Sequence, residues 1–357
     1  MVRFTVLASG SKGNSAVITG GRTRILLDAG LSCRELFKRM KLAGEDPETL
    51  DAILITHEHQ DHVNGLSVTA RKLGIPVYFT EGTHRAWMRW LSPRRQMTYA
   101  QWLEQCRRQA AERQAEASGD RSSSPGWQAE VPGDRSSSPG WQAEADAAAE
   151  ESEPDEPAAG MEAESSAPPA AEPSAEAVPD QQPSLKDDPT WLPAVEYFQA
   201  GQSFRIGDMD VSPFTIPHDA ADPVGFVFRS EGVRIGFVTD LGYIPPNVKA
   251  QLKDLELLLL ESNHDLEMLR DGPYPWAVKQ RVLSRVGHLS NEAASEFLTQ
   301  DYDGRAAYIV LAHLSENNNF PELARIAAER ALDGRTSLLA NRLLLAGQHE
   351  PLASIEF

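Results

Sequence analysis

The hexapeptide His57-Glu58-His59-Gln60-Asp61-His62 constrains this chain more than any other feature. It follows residues 51–56, an apolar run of the kind a strand shows when both its faces are buried, and it precedes residues 63–73, whose apolar spacing is helical. Three imidazoles and a carboxylate therefore share one tight strand-to-helix turn. Neutral imidazole suits divalent transition metals, and a carboxylate adds an anionic ligand. His57 and His59, two apart on extended backbone, can face one ion; Asp61 and His62, on the turn into the helix, can reach a second. Any one of these side chains is equally at home on a solvated polar loop, but the pattern of four is not explained that way.

Two ions need more ligands than four. His218 follows the apolar stretch 214–217, Asp240 follows 235–239 and His313 follows 309–312. Each is a ligand type just past a buried strand, where open α/β architectures place their sites. Taken singly, each is also the kind of residue that turns use.

The rest of the chain supplies a frame for such a site. Residues 2–7, 15–19, 23–28 and 76–79 read as strands, 34–42 as a helix, and 83–108 as a helix broken at Pro93. Further on, 203–206, 209–216, 225–229 and 234–238 are closely spaced strands with a hairpin turn at Glu231-Gly232. A strand at 255–260, helices at 273–285 and 290–300, a strand at 307–311 and a helix at 320–332 complete the pattern. Helices flanking a pair of mixed sheets predict an α/β fold, a four-layer αββα sandwich.

Composition matters chiefly for where the charge lies. The 357 residues carry a formal net charge of −18, but residues 112–188 hold 19 acidic and 4 basic side chains, and the remainder is nearly balanced at −3. That remainder neither supports nor excludes an anionic substrate. The acidic stretch is rich in Ala, Glu, Pro and Ser, and residues 119–130 recur as 133–144, a period of 14. Two such units with Pro-Gly at their centre cannot bury a core. The expected organisation is a sandwich half at 1–110, a disordered acidic insertion at 111–190 and a second half at 191–357. Trp127 and Trp141, one per repeat, are either anchors for a protein partner or by-products of a duplication. Two distant cysteines, Cys33 and Cys106, imply no disulfide framework. With no signal-like segment and no apolar run of ~20 residues, the expectation is a soluble, cytoplasmic protein that does not engage a membrane.

Beyond the hexapeptide, Ala8-Ser-Gly-Ser-Lys-Gly-Asn-Ser15, Leu26-Leu-Asp-Ala-Gly30, His218-Asp-Ala-Ala-Asp-Pro223, Val238-Thr-Asp-Leu-Gly242, Glu261-Ser-Asn-His-Asp265, Gly287-His-Leu-Ser-Asn291 and Leu311-Ala-His-Leu-Ser315 occur in order across nearly the whole chain outside the insertion. This set resembles the metallo-β-lactamase fold and, within it, the bacterial YycJ (WalJ) subfamily related to RNase Z and RNase J. The insertion departs from that family's pattern. The resemblance implies one metal on His57, His59 and His218, another on Asp61, His62 and His313, and Asp240 bridging them. It implies that Asp28 is structural beneath the hexapeptide. Zinc is the first expectation for both metals, with manganese or iron as alternatives.

Two cations sharing a hydroxide can drive an in-line displacement at phosphorus, with Asp61 orienting that hydroxide. His288 resembles the His of the Gly-His-Ser-Thr loop of RNase Z and would serve the leaving oxygen, held by Glu261. Ser11, Lys12 and Asn14 lie on a Gly- and Ser-rich loop that either contacts phosphate or is a plain hairpin connection; His264 is either a substrate contact or a polar residue at a helix start. The YycJ resemblance implies a DNA exonuclease working 5′ to 3′ and linked to mismatch repair. RNase Z would imply RNA processing, but its long arm for gripping transfer RNA has no equivalent here, and an acidic insertion would repel phosphates. A small-molecule hydrolase (thioesterase, lactonase or cyclic phosphodiesterase) uses the same metal pair. A third class is an interaction protein whose insertion binds a partner beside a vestigial site.

Overall fold

The central strands carry near-continuous apolar runs because they are covered on both faces. In β1 (Val2–Ala8), Phe4 and Val6 belong to one core and Leu7 to another; in β11 (Leu257–Glu261), Leu257 and Leu259 face one way, Leu258 and Leu260 the other. This is the period-two alternation of a strand, with both phases buried. The computed structural model describes residues 1–92, 188–332 and 342–357.

Among these residues, two seven-stranded sheets result. The first contains β1, β2 (Ser15–Gly20), β3 (Thr23–Leu27), β4 (Ala52–Leu54), β5 (Val77–Phe79), β6 (Val195–Tyr197) and β14 (Ile355–Glu356), in the order β14-β1-β2-β3-β4-β5-β6. The second runs β13-β12-β11-β10-β9-β8-β7, from β7 (Phe204–Ile206), β8 (Met209–Thr215), β9 (Val224–Ser230), β10 (Val233–Val238), β11, β12 (Tyr308–Ala312) and β13 (Arg342–Leu345). Each sheet is antiparallel in one part and parallel in the other: β3 to β6 and β10 to β13 are parallel.

One core lies between the sheets, built by residues such as Phe4, Ile18, Phe226, Phe228 and Leu259. The outer face of the first sheet is covered by α1 (Cys33–Leu42), α3 (Leu66–Leu73) and α4 (Glu81–Leu91). The outer face of the second is covered by α5 (Pro246–Gln251), α8 (Asn291–Gln300) and α9 (Pro321–Leu332). The four-layer αββα sandwich expected from the sequence is borne out. Each fully buried Leu, Ile or Phe stabilises it by about 1.5–3 kcal/mol.

The helices start where capping chemistry allows. Ser32 accepts from the backbone N–H of Glu35 to open α1, Thr80 from Thr83 to open α4, and Ser290 from Ala293 to open α8. Left-handed Gly74 ends α3. The helix expected at 63–73 is interrupted: α2 (Gln60–Val63) stops, and Gly65 N–H bonds to Ala29 O rather than continuing the turn.

The chain leaves α4 at Leu91 and returns as β6, which pairs in parallel with β5, so residues 93–187 fall between neighbouring strands of one sheet. The 14-residue repeat, Trp127, Trp141, Cys106 and most of the expected insertion lie outside the described residues. Residues 188–190, expected within it, meet α3: Ser67 Oγ donates to Pro189 O and Arg71 to Asp188 O. Among the described residues no helix is long and apolar enough to cross a membrane.

Candidate metal centre and active site

The parallel strands of both sheets end at one edge, and the ligand-type residues follow them. Asp28 follows β3, the hexapeptide follows β4, Asp240 follows β10, Glu261 ends β11 and His313 follows β12. Asp28, Asp240 and His313 have positive φ, 56°, 62° and 56°. A non-glycine residue there costs of order 1–3 kcal/mol and persists only where its surroundings fix it. Here the sharp bend turns each side chain out of its strand and into the shared site. Gly30 lets the hexapeptide lie against β3: a Cβ there would sit 1.7 Å from Asp61 O.

The seven candidate ligands converge. His57, His59 and His218 form one group; Asp61, His62 and His313 form another; His57, His62 and Asp240 form a third set that connects them. Within each set the ligand atoms lie within 4.8 Å of one another.

The imidazoles are held from behind by their other nitrogens. His62 Nδ1 donates to Asp28 Oδ2 at 2.8 Å and His313 Nδ1 to Glu261 Oε1 at 3.0 Å. His57 Nδ1 bonds Thr56 Oγ1 at 3.0 Å, and that hydroxyl in turn donates to Asp28 Oδ2 at 2.8 Å. His218 Nδ1 donates to the carbonyls of Val286 and Gly287 at 3.1 and 3.2 Å. In each case Nε2 is left for the cluster, an arrangement that fixes the tautomer and raises ligand basicity. Among the atoms of the seven candidate ligands, buried His57 Nε2 and Asp240 Oδ2 have no hydrogen-bond partner. Buried polar atoms without partners are rare and costly, and divalent cations would satisfy both. The donor set therefore fits metal binding.

Charge divides the two groups. Burial pushes His57 well below its ordinary pKa, with repulsion from His62, His218 and His59 adding to it, and burial also lowers His218. Burial opposes charge on His62 and His313 as well, but Asp240, Asp61 and Asp28 raise His62, and Asp240, Asp61 and Glu261 raise His313. Asp61, Asp240 and Glu261 are held low, their burial outweighed by these imidazoles and, for Glu261, by His288.

His288, 17% exposed, faces the same cavity, and its Nδ1 lies 2.7 Å from Glu261 Oε1. Glu261 also accepts the backbone N–H groups of Leu241 and Leu289, so one buried carboxylate orients both His288 and His313. The cavity holds about 380 Å³ and is lined by His59, Asp61, Asp240, His288, His313 and Ser11, among others.

The other expected substrate contacts are placed differently. Asn14 is buried; its Nδ2 lies 3.0 Å from Asp61 Oδ2, so it braces a ligand instead of lining the cavity. Lys12 is drawn to Glu316 at 2.6 Å and does not line the cavity. His264 is buried beside Asn263, and burial pushes its imidazole down to about 4. Sequence reasoning missed Tyr274, Val278 and Arg281, which line the cavity, and Gln348, which accepts from Lys12 N–H and donates to Gly13 O beneath the Gly- and Ser-rich loop. None of these carries ligand chemistry, and only the fold brings them to the site.

Residues 8–313 match the profile of the Metallo-beta-lactamase superfamily. The chain is 29% identical over 335 residues, 93% of its own length and 89% of the other's, to the exodeoxyribonuclease YycJ of Bacillus anthracis. It is 28% identical over 324 residues, covering 91% of this chain and 86% of that protein, to the exodeoxyribonuclease WalJ of Streptococcus pneumoniae. Among solved structures, the metallo-beta-lactamase fold protein YhfI of Bacillus subtilis superposes with a TM-score of 0.54 at 12% identity, covering 98% of both chains, a likeness of fold.

Proposed function

The chain belongs to the metallo-beta-lactamase superfamily, and on that footing we propose that it is a metal-dependent exonuclease that hydrolyses phosphodiester bonds of DNA. The observation that carries this reading is that seven ligand-type side chains cluster in overlapping sets, and that four of them, His59, Asp61, Asp240 and His313, line one small cavity with His288, which Glu261 holds. DNA is favoured because relatives named exodeoxyribonucleases align with nine-tenths of the chain.

His57, His59 and His218 would hold one divalent cation and Asp61, His62 and His313 the other, with Asp240 between them; zinc suits the imidazole-rich group, and manganese and iron are the alternatives. When bound, such a pair supplies Lewis acidity and water made acidic enough to attack at neutral pH. Asp61 is positioned by Asn14 to orient the attacking water. His288 would donate its Nδ1–H to Glu261 and, when its ring also carries a proton on Nε2, pass that second proton to the departing oxygen and become neutral, a contribution of about 10²–10⁴ in rate.

The test is incubation of metal-loaded protein with end-labelled single- and double-stranded DNA and RNA. Stepwise shortening of DNA, absent in His59→Ala, is the expected result; preference for RNA, or activity only on small esters, overturns the DNA assignment. We propose further that the acidic stretch is an insertion that takes no part in the chemistry, so protein lacking residues 112–187 should still cut.

A further inference from the structure

The metal ligands and His288 do not account for one wall of the cavity. Between α6 (Leu266–Asp271) and α8, the chain runs Gly272-Pro-Tyr-Pro275 into α7 (Trp276–Val282). Tyr274, Val278 and Arg281 from this stretch line the cavity with His59, Asp61 and His288. The stretch is rigid. Tyr274 stands between two prolines, which lock their own φ and confine the residue before Pro275 to extended backbone. Lys279 Nζ donates to Arg270 O and Gly272 O, both at 2.8 Å. A Cβ on Gly272 would lie 2.3 Å from Asn318 Oδ1, so the loop sits hard against its neighbour.

Arg281 is fixed as well. Its Nε and Nη2 both donate to Asp219, the latter at 3.2 Å, while Nη1 has no partner among the described residues and the side chain is 55% exposed. An aromatic ring on a stiff backbone and an oriented guanidinium with a free amino group are what a nucleotide requires: a face to stack on, and a donor for phosphate. The cavity, about 380 Å³, is near the small end of ligand pockets, about 300–1,000 Å³. It therefore admits one residue of a polymer and leaves the rest outside.

We propose that this wall is a terminal-nucleotide subsite: Tyr274 stacks on the base of the residue entering the cavity, and Arg281 Nη1 holds a backbone phosphate. The inference rests on the nuclease reading above and adds how a strand end is gripped. Stacking is indifferent to sequence because every base has a π face, so the subsite selects a chain end with a base on it, whichever base.

The experiment pairs enzyme variants with two single-stranded DNA substrates whose cleaved terminus carries either a base or an abasic deoxyribose. Wild type should lose about tenfold in kcat/KM on the abasic end, mostly through KM. Tyr274→Ala should lose the same factor on the normal end and nothing more on the abasic one, and Tyr274→Phe should match wild type. Arg281→Gln should flatten the slope of log affinity against log salt by about 0.7. The proposal is overturned if wild type cuts both ends equally, if Tyr274→Ala still discriminates between them, or if Arg281→Gln leaves the salt slope unchanged; in these cases the nuclease reading stands. If wild type cuts neither substrate, the nuclease reading fails first and takes the subsite with it.

Discussion

Both ligand groups use imidazoles, but these rest on different supports. His57 leans on the Thr56 hydroxyl and His218 on main-chain carbonyls, all neutral oxygens. His62 and His313 lean on the buried carboxylates of Asp28 and Glu261, and Asp61 adds a charge of its own. An imidazole donating to a carboxylate is the more basic ligand, and the second group carries the greater negative charge for a cation to neutralise. The centre at Asp61, His62 and His313 is therefore expected to be the tighter one, and the three-imidazole centre the one that exchanges. Chelator competition should then show two steps.

Asp240 lies with His57 of one group and His62 of the other, so its loss should erase the difference altogether. Asp240→Asn removes the bridging charge while keeping a residue that tolerates positive φ. We expect activity to fall by about 10⁴-fold or more, roughly 5.5 kcal/mol in the barrier, with both chelator steps weakened together. If one step survived unchanged, Asp240 would serve a single centre and the two groups would not be coupled.

His288 tests the opposite limit, since it is oriented by Glu261 yet stands outside both groups. His288→Ala should lower kcat by about 10²–10⁴ and leave metal content and both chelator steps as they are. Loss of metal in that variant would make His288 a ligand instead of a proton donor. Asp28→Asn comes next in size and separates the two centres directly. It should weaken the tighter step by about 10–100-fold and the looser one less, because Asp28 reaches His57 only through the Thr56 hydroxyl, drawing the two steps together. Weakening of the looser step instead would reverse the ranking of the centres.

The sequence shows the first half of the site more fully than the second. The hexapeptide is local, so its four ligand types could be read from spacing alone, and His218, Asp240 and His313 were visible as ligand types after apolar strands. The supports were harder to see. Asp28 and Glu261 reach their imidazoles across 34 and 52 positions, which only the pairing of strands brings together. The Gly- and Ser-rich loop of Asn14 leaves open a phosphate contact or a plain hairpin connection, and burial turns Asn14 toward Asp61. Edge strands were missed as well: β6, β13 and β14 have two to four residues each and too little sequence to show a period. Tyr274 and Arg281 carry nothing that spacing could flag, because their place on the cavity wall depends on how α7 packs.

The smallest effect should come from the C-terminal segment that underlies the tighter centre. Gln348 is buried and holds the Gly- and Ser-rich loop by two bonds, accepting from Lys12 N–H at 2.8 Å and donating to Gly13 O at 3.1 Å. Its own carbonyl accepts from Arg39 at 2.6 Å, tying α1 to the same point. Gln348→Ala leaves the Gly13 carbonyl and Lys12 N–H to find water or go unpaired, a cost of about 1–3 kcal/mol, or a fall in Tm of about 2–6 °C for a domain of this size. Because the loop carries Asn14, and Asn14 braces Asp61, the chelator step of the tighter centre should weaken slightly while that of the three-imidazole centre stays put. A fall in Tm with both steps unmoved would show that the loop supports the fold without supporting the ligand.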